Sequence, residues 1–321
     1  MRNKKKHIRK DKFKKTAVDY SHYDKTIEML NNKPSSSLDK VSNLINEFNS
    51  KASKDLDNKY IHQTIDYLSY LFFTIPYSFN DTTEFWRVRP SACGELFNNT
   101  NDLKYPPNEA IREYGRANIS AISMFYAATS PETAFAECRL NKDDYFHLTK
   151  YTIKQKSTLH IIVIGDIDNL RRRKKTVHDT PEYAAKIDYI LSRLNPDIRL
   201  AVQLVDAFFV DRLSRKGSQD EYRVTSRIIN ELLEASDLNI SGVMYESVEH
   251  AGGFNYAFKP SCYEEHIVPI QVSACQIINK YGYGAYKTMK SIPIIINEYP
   301  GEIPWPDVPA IHEYRNRKIK E

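Results

Sequence analysis

The 321-residue chain has four cysteines, Cys93, Cys138, Cys262 and Cys275, and no C-x-x-C pair among them. That scatter argues against a disulfide framework or a cysteine zinc site and fits reduced thiols, so no metal is expected. No apolar run reaches the roughly 18 to 20 residues that span a bilayer, and no membrane segment is expected. The basic start, Met1 to Lys15, has no apolar stretch behind it. A secretory signal is therefore set aside, and a cytoplasmic location is the expectation. Also missing are G-x-x-x-x-G-K-S/T, G-x-G-x-x-G after a strand, H-E-x-x-H and G-x-S-x-G. If the chain handles a dinucleotide, it does so without a Rossmann crevice.

What is present is a 41% apolar chain, enough to bury a sizeable core, and a length that suits a main domain with a smaller companion. The net charge of +5 is concentrated in Lys4, Lys5, Lys6, Arg9, Lys10, Lys12, Lys14 and Lys15. Such a run reads as a solvated, flexible tail over residues 1–20, and nucleic acid is not the expected partner. Residues 21–80 read as a small helical unit, with Leu38, Val41, Leu44, Ile45 and Phe48, then Ile61, Ile65, Leu68 and Phe72, at helical spacing.

The pattern changes near residue 83, where Phe85 to Arg89 alternates, with Arg87 and Arg89 on one face and Trp86 and Val88 on the other. Ile122 to Ala128 reads as a strand that runs into Ser130-Pro131-Glu132-Thr133, a helix start with a capping serine, proline at the first position and an acid in the first turn. Leu159 to Ile164 reads as a buried strand. Two or three helices follow, carrying Ile187, Ile190, Leu191 and Leu194 and then Tyr222, Ile228, Ile229, Leu232 and Leu233. Short strands are expected at Gly242 to Tyr245, Asn255 to Phe258 and Ile294 to Ile296. Strands and helices do not alternate regularly, so the class is α+β.

Trp86-Arg87, Gly115-Arg116-Ala117-Asn118, Phe125-Tyr126, Thr133 to Glu137, Tyr222 to Thr225 and Gly242 to Ser247 occur in that order. Together they resemble the RES domain, named for its Arg, Glu and Ser, over roughly residues 84–260. Glu246 departs from the pattern, standing where the family often has proline. The resemblance implies a split mixed or antiparallel sheet with surrounding helices, similar to ADP-ribosyltransferase toxins, in a catalytic domain over residues 81–321 that includes a C-terminal extension. It implies consumption of NAD as substrate, with no permanently bound cofactor, as an NAD glycohydrolase or phosphorylase. The toxin half of a toxin–antitoxin or defence system is the implied setting, with a protein antitoxin and a second copy of the chain as partners.

The chemistry of these residues can be read beside the resemblance. Cleaving the nicotinamide–ribose bond passes through an oxocarbenium-like transition state, which an anion stabilises. Glu137 is the candidate; the plain alternative is a surface pair with Arg139. Pyrophosphate suits a guanidinium, Arg87 first and Arg116 second, and Arg89 shares the face of Arg87. Tyr126 offers an aromatic wall and a hydroxyl for the nicotinamide ring. Asn118 joins the substrate-binding set through its place in the Gly-Arg-Ala-Asn turn. Ser247 reads as a substrate hydrogen-bonding group or a turn-stabilising hydroxyl, because no activating base stands at a telling spacing. Transfer of ADP-ribose to a protein is the alternative activity, and an inactive binding module with a basic tail is the third.

Overall fold

A computed structural model describes residues 19–306, apart from 35–36, 178–179, 235–238 and 283–284. The basic run of residues 1–15 and the end of the C-terminal extension, residues 307–321, lie outside the described residues. Three helices come first: α1 (Asp24–Asn31), α2 (Ser37–Ser50) and α3 (Asn58–Leu71). The Asp57 side chain caps α3 by accepting from the Tyr60 N–H at 2.8 Å. Then follow β1 (Tyr77–Phe79), β2 (Glu84–Ser91), β3 (Phe125–Ala128), α4 (Pro131–Glu137), β4 (Tyr145–Ile153) and β5 (Leu159–Val163). Four helices lead on, α5 (Asp166–Arg173), α6 (Pro181–Arg193), α7 (Pro196–Ser214) and α8 (Gln219–Glu234). The chain ends its regular structure with β6 (Gly242–Glu246), β7 (Phe254–Phe258), α9 (Pro260–His266), β8 (Ile267–Gly282), β9 (Ala285–Lys290) and β10 (Ile294–Ile295).

The strands form one mixed sheet in the order β1-β5-β6-β7-β3-β2-β4-β8-β10, with β9 also on β8. Only the β5–β6 pairing is parallel among the described strands; the rest are antiparallel. The protein is α+β, as the irregular element order predicts. β2 pairs with β4 along its length, from Glu84 opposite Thr152 to Ser91 opposite Tyr145, yet meets β3 at a single position, Trp86 opposite Ala128. The sheet is therefore nearly parted between β3 and β2.

Alternation along the strands sends side chains to two cores. Val243, Tyr245 and Ala257 face one side, where α2, α3, α7 and α8 cover them; Met244, Tyr256 and Phe258 face the other, with Phe85, Phe125, Tyr151 and Tyr263. The helices expected to form a unit of their own thus share a core with the middle of the chain, through Val41, Phe48, Ile61, Ile65 and Leu68 against Val205, Phe208 and Phe209. A buried ion pair reinforces that join. Fully buried Arg212 donates to Glu221 Oε2 at 2.8 Å and to Ser53 Oγ at 2.5 Å. On the same α7, buried Asp206 accepts from the Gly165 and Asp168 N–H groups at 2.9 and 2.8 Å, capping the start of α5.

The strand expected from Ile122 begins instead at Phe125. Ser123 explains the difference: its N–H donates to Asn108 Oδ1 and its hydroxyl to the Pro106 carbonyl, drawing it into the preceding loop. Four helices stand where two or three were expected; β1, at the end of the stretch read as helical, pairs with β5 instead, and β4, β8 and β9 lie outside the expected strands.

Candidate active site

Glu137 is the last residue of α4, a two-turn helix whose start is fixed by Ser130, its Oγ accepting from the Thr133 N–H at 3.2 Å, and by Pro131. β6 ends at Glu246, so Ser247 emerges beside α4. The Ser247 hydroxyl donates to Glu137 Oε1 at 2.6 Å, and Asn255 Nδ2, from β7, donates to the same oxygen at 2.7 Å. Ser247 Oγ also accepts from the His250 N–H at 3.0 Å, while its own N–H donates to the Gly253 carbonyl at 2.8 Å. This tight loop needs Gly253, because a Cβ there would lie 2.3 Å from Thr133 Oγ1. Among the described residues no cation lies within ion-pair distance of Glu137; Arg139 is bonded to Glu249 instead.

Where the sheet parts, the Arg87 side chain reaches across from β2. Its Nη1 donates to the Tyr126 carbonyl at 2.6 Å, its guanidinium lies 5.1 Å from the Phe125 ring centre, and its Nε is buried without a partner. Arg89, two residues on, rests 5.1 Å from the Phe97 ring centre. Burial, and secondarily the charge of Arg87, hold its pKa below the usual arginine range.

The Gly115–Asn118 turn is built around a hydroxyl. Tyr126 Oη accepts from the Ala117 and Asn118 N–H groups at 2.8 and 3.0 Å and donates to Asn118 Oδ1 at 2.9 Å. Burial pushes this phenol up to about 12. Gly115 has no room for a side chain, since a Cβ would lie 2.1 Å from Asn118 Oδ1. Arg116 donates to the Leu213 carbonyl at 2.6 Å and the Arg215 carbonyl at 3.3 Å, satisfying the end of α7, and lies 5.4 Å from the Tyr222 ring centre. Asn118 Nδ2 is turned to the Glu113 and Ile119 carbonyls.

These segments enclose a cavity of about 290 Å³ at the parting of the sheet. Arg87, Arg116, Asn118, Tyr126 and Glu137 are on its wall; Arg89 and Ser247 are not, the first lying farther along β2 and the second behind Glu137. The structure adds Asn255, Tyr222 and Tyr245 to the wall. Both tyrosines stand in the patterns read from the sequence without having been assigned to the site. Asn255 carries little local signal, an asparagine between Phe254 and Tyr256 in an alternating strand. Cys138 also borders the cavity, but burial pushes its thiol up to about 11, which suits a packed group rather than a thiolate nucleophile.

The fold and cavity define a class: an α+β protein whose mixed sheet parts around a site lined by tyrosines, arginines and a carboxylate with no ion-pair partner among the described residues. The RES domain matches residues 84–276, and the chain belongs to that family. The match includes every candidate site residue and runs past residue 260 into β8. At family level, membership supports an NAD-related, toxin-like function. No curated protein and no solved structure gives a significant match. Among the described residues, no helix is long and apolar enough to cross a membrane, and no group of three or more His, Cys, Asp or Glu side chains could hold a metal ion.

Proposed function

We propose that this protein cleaves the nicotinamide–ribose bond of NAD and passes the ADP-ribosyl group to water or inorganic phosphate. The observation that carries the reading is the state of Glu137, a carboxylate on the cavity wall held by two neutral donors and, among the described residues, by no cation. Hydroxyl and amide donors fix the group but leave its full negative charge in place, whereas an arginine partner would cancel it. In the reaction the C1′–N bond breaks and its electron pair leaves with nicotinamide, which departs neutral. Positive charge grows on the ribose ring, where a fixed anion lowers the barrier. The acceptor oxygen then bonds to C1′, and water, when it is the acceptor, releases a proton.

The remaining wall suits the rest of that substrate. Arg87 keeps donors beyond the one given to Tyr126 and can receive a pyrophosphate oxygen. The faces of Tyr126, Tyr222 and Tyr245 offer aromatic surface to the nicotinamide ring. In this reading the ring of Tyr126, not its committed hydroxyl, meets the substrate, while Arg116 and Asn118 shape the wall. A toxin of a toxin–antitoxin or defence system, neutralised by a protein partner, is the biological setting that such an activity fits.

The test is to incubate purified protein with NAD, with and without inorganic phosphate, and follow nicotinamide and ADP-ribose products by chromatography. Nicotinamide release is expected. Unchanged NAD under both conditions rejects the reading; ADP-ribose phosphate ester formed only with phosphate identifies a phosphorylase. Label appearing on protein would move the assignment to ADP-ribosyl transfer.

A further inference from the structure

Asn255 lies on β7 opposite Tyr245 of β6 on one side and Ala128 of β3 on the other. Its side chain is buried and its Nδ2 reaches Glu137 Oε1, the oxygen that also takes the Ser247 hydroxyl. Both donors therefore converge on one carboxylate oxygen. Oε2 has no hydrogen-bond donor among the described residues.

The two donors are anchored differently. Ser247 belongs to the loop that turns through His250 and Gly253, whereas Asn255 stands on a strand paired along both edges. The strand is the stiffer reference, because its backbone is held by two ladders. A buried amide is unfavourable at such a position unless it is bonded, and the bond it makes is to Glu137.

We infer that Asn255 is a positioning residue that ties Glu137 Oε1 to the central sheet and so presents Oε2 to the ribose. The inference rests on the NAD reading of the cavity. Asn255 acts through Glu137 and does not itself contact the reacting atoms. Ser247 and Asn255 form one device, since each bonds the same oxygen.

Steady-state kinetics on NAD with Asn255→Ala, Ser247→Ala and the double variant test this, alongside a crystal structure of Asn255→Ala. A misplaced carboxylate is expected to lower kcat about 10- to 100-fold while KM stays within about threefold. The double variant should lose less than the product of the two single losses, because the donors share one acceptor. Asn255→Gln, which keeps an amide, should recover part of the rate. Asn255→Leu fills the same space and repeats the measurement if the alanine variant unfolds. In the crystal structure the Glu137 carboxylate should leave its place; an unmoved carboxylate, an unchanged kcat or strictly multiplicative losses each overturn the inference. If the wild-type protein leaves NAD intact, the NAD reading falls, and the position of Glu137 in the variant crystal still decides the role of Asn255.

Discussion

Arg139 Nη2 lies 2.9 Å from Glu249 Oε1, and Nε of the same guanidinium lies 3.2 Å from that oxygen. The basic residue closest in sequence to Glu137 is thus engaged with a different carboxylate, and the negative charge of Glu137 is left to the cavity. The first prediction concerns that charge. Glu137→Gln keeps size and can still be held in place, but removes the anion; NAD turnover should fall at least about 100-fold with the melting temperature little changed. Parallel rate and thermal-melt measurements check it, and a fully active, folded variant removes Glu137 from the mechanism.

Ser247→Ala separates a positioning hydroxyl from a nucleophile. The variant loses one donor to Glu137 and one acceptor for the His250 N–H. A partial rate loss of about tenfold is expected, together with about 1–3 kcal/mol of destabilisation from the orphaned groups. Mass spectrometry of the wild-type protein during turnover should show no ADP-ribosyl adduct on Ser247; a trapped adduct would reverse the assignment.

Arg87→Lys replaces a planar fork by a point charge and disturbs the bond to the Tyr126 carbonyl. KM for NAD should rise about tenfold or more, as for loss of about 1.4 kcal/mol of substrate binding. Nicotinamide riboside, which has no pyrophosphate, should show a much smaller change. Equal effects on both substrates would place Arg87 in the scaffold alone.

Deletion of residues 1–76 should leave an unfolded or aggregated protein. Val41, Phe48, Ile61, Ile65 and Leu68 would leave the shared core, and buried Arg212 would lose its Ser53 partner. Breaking the Arg212 pair from the other side, with Glu221→Ala, is expected to cost about 3–5 kcal/mol. A truncated chain that melts cooperatively at the wild-type temperature would show instead that residues 77–321 fold alone.

Burial pushes Asp206 up to about 7, against the two N–H bonds that favour its charged form. Because the folded-state value is raised, this group contributes most stability below the unfolded carboxylate value of about 4 and loses it as pH rises through about 7. Chemical denaturation between pH 4 and about 8 should show that decline, and Asp206→Asn should flatten it. An unchanged pH dependence in the variant would place the titration elsewhere.

The legible parts of this protein were those whose signals are local. Ser130 and Pro131 announce α4, and with it the placement of Glu137; alternation from Phe85 to Arg89 announces β2. The roles of polar groups were harder, because their partners are distant in the chain. Arg116 looks like a phosphate ligand until the Leu213 carbonyl, 97 residues away, is seen to hold it. Asn255 is invisible until β7 brings it to Glu137, 118 residues earlier. β8 escapes pattern reading because it is long and polar in places and carries Pro269 near its start.

The lone Trp86–Ala128 pair between β3 and β2 has a mechanical consequence. Two well-laddered plates joined at one point resist bending within themselves and yield along their common seam. Opening that seam breaks few backbone bonds, and Arg87, reaching across to Tyr126, is the clasp that closes it. On the NAD reading, a phosphate held by the remaining donors of Arg87 would sit at that seam with the bond to Tyr126 still in place.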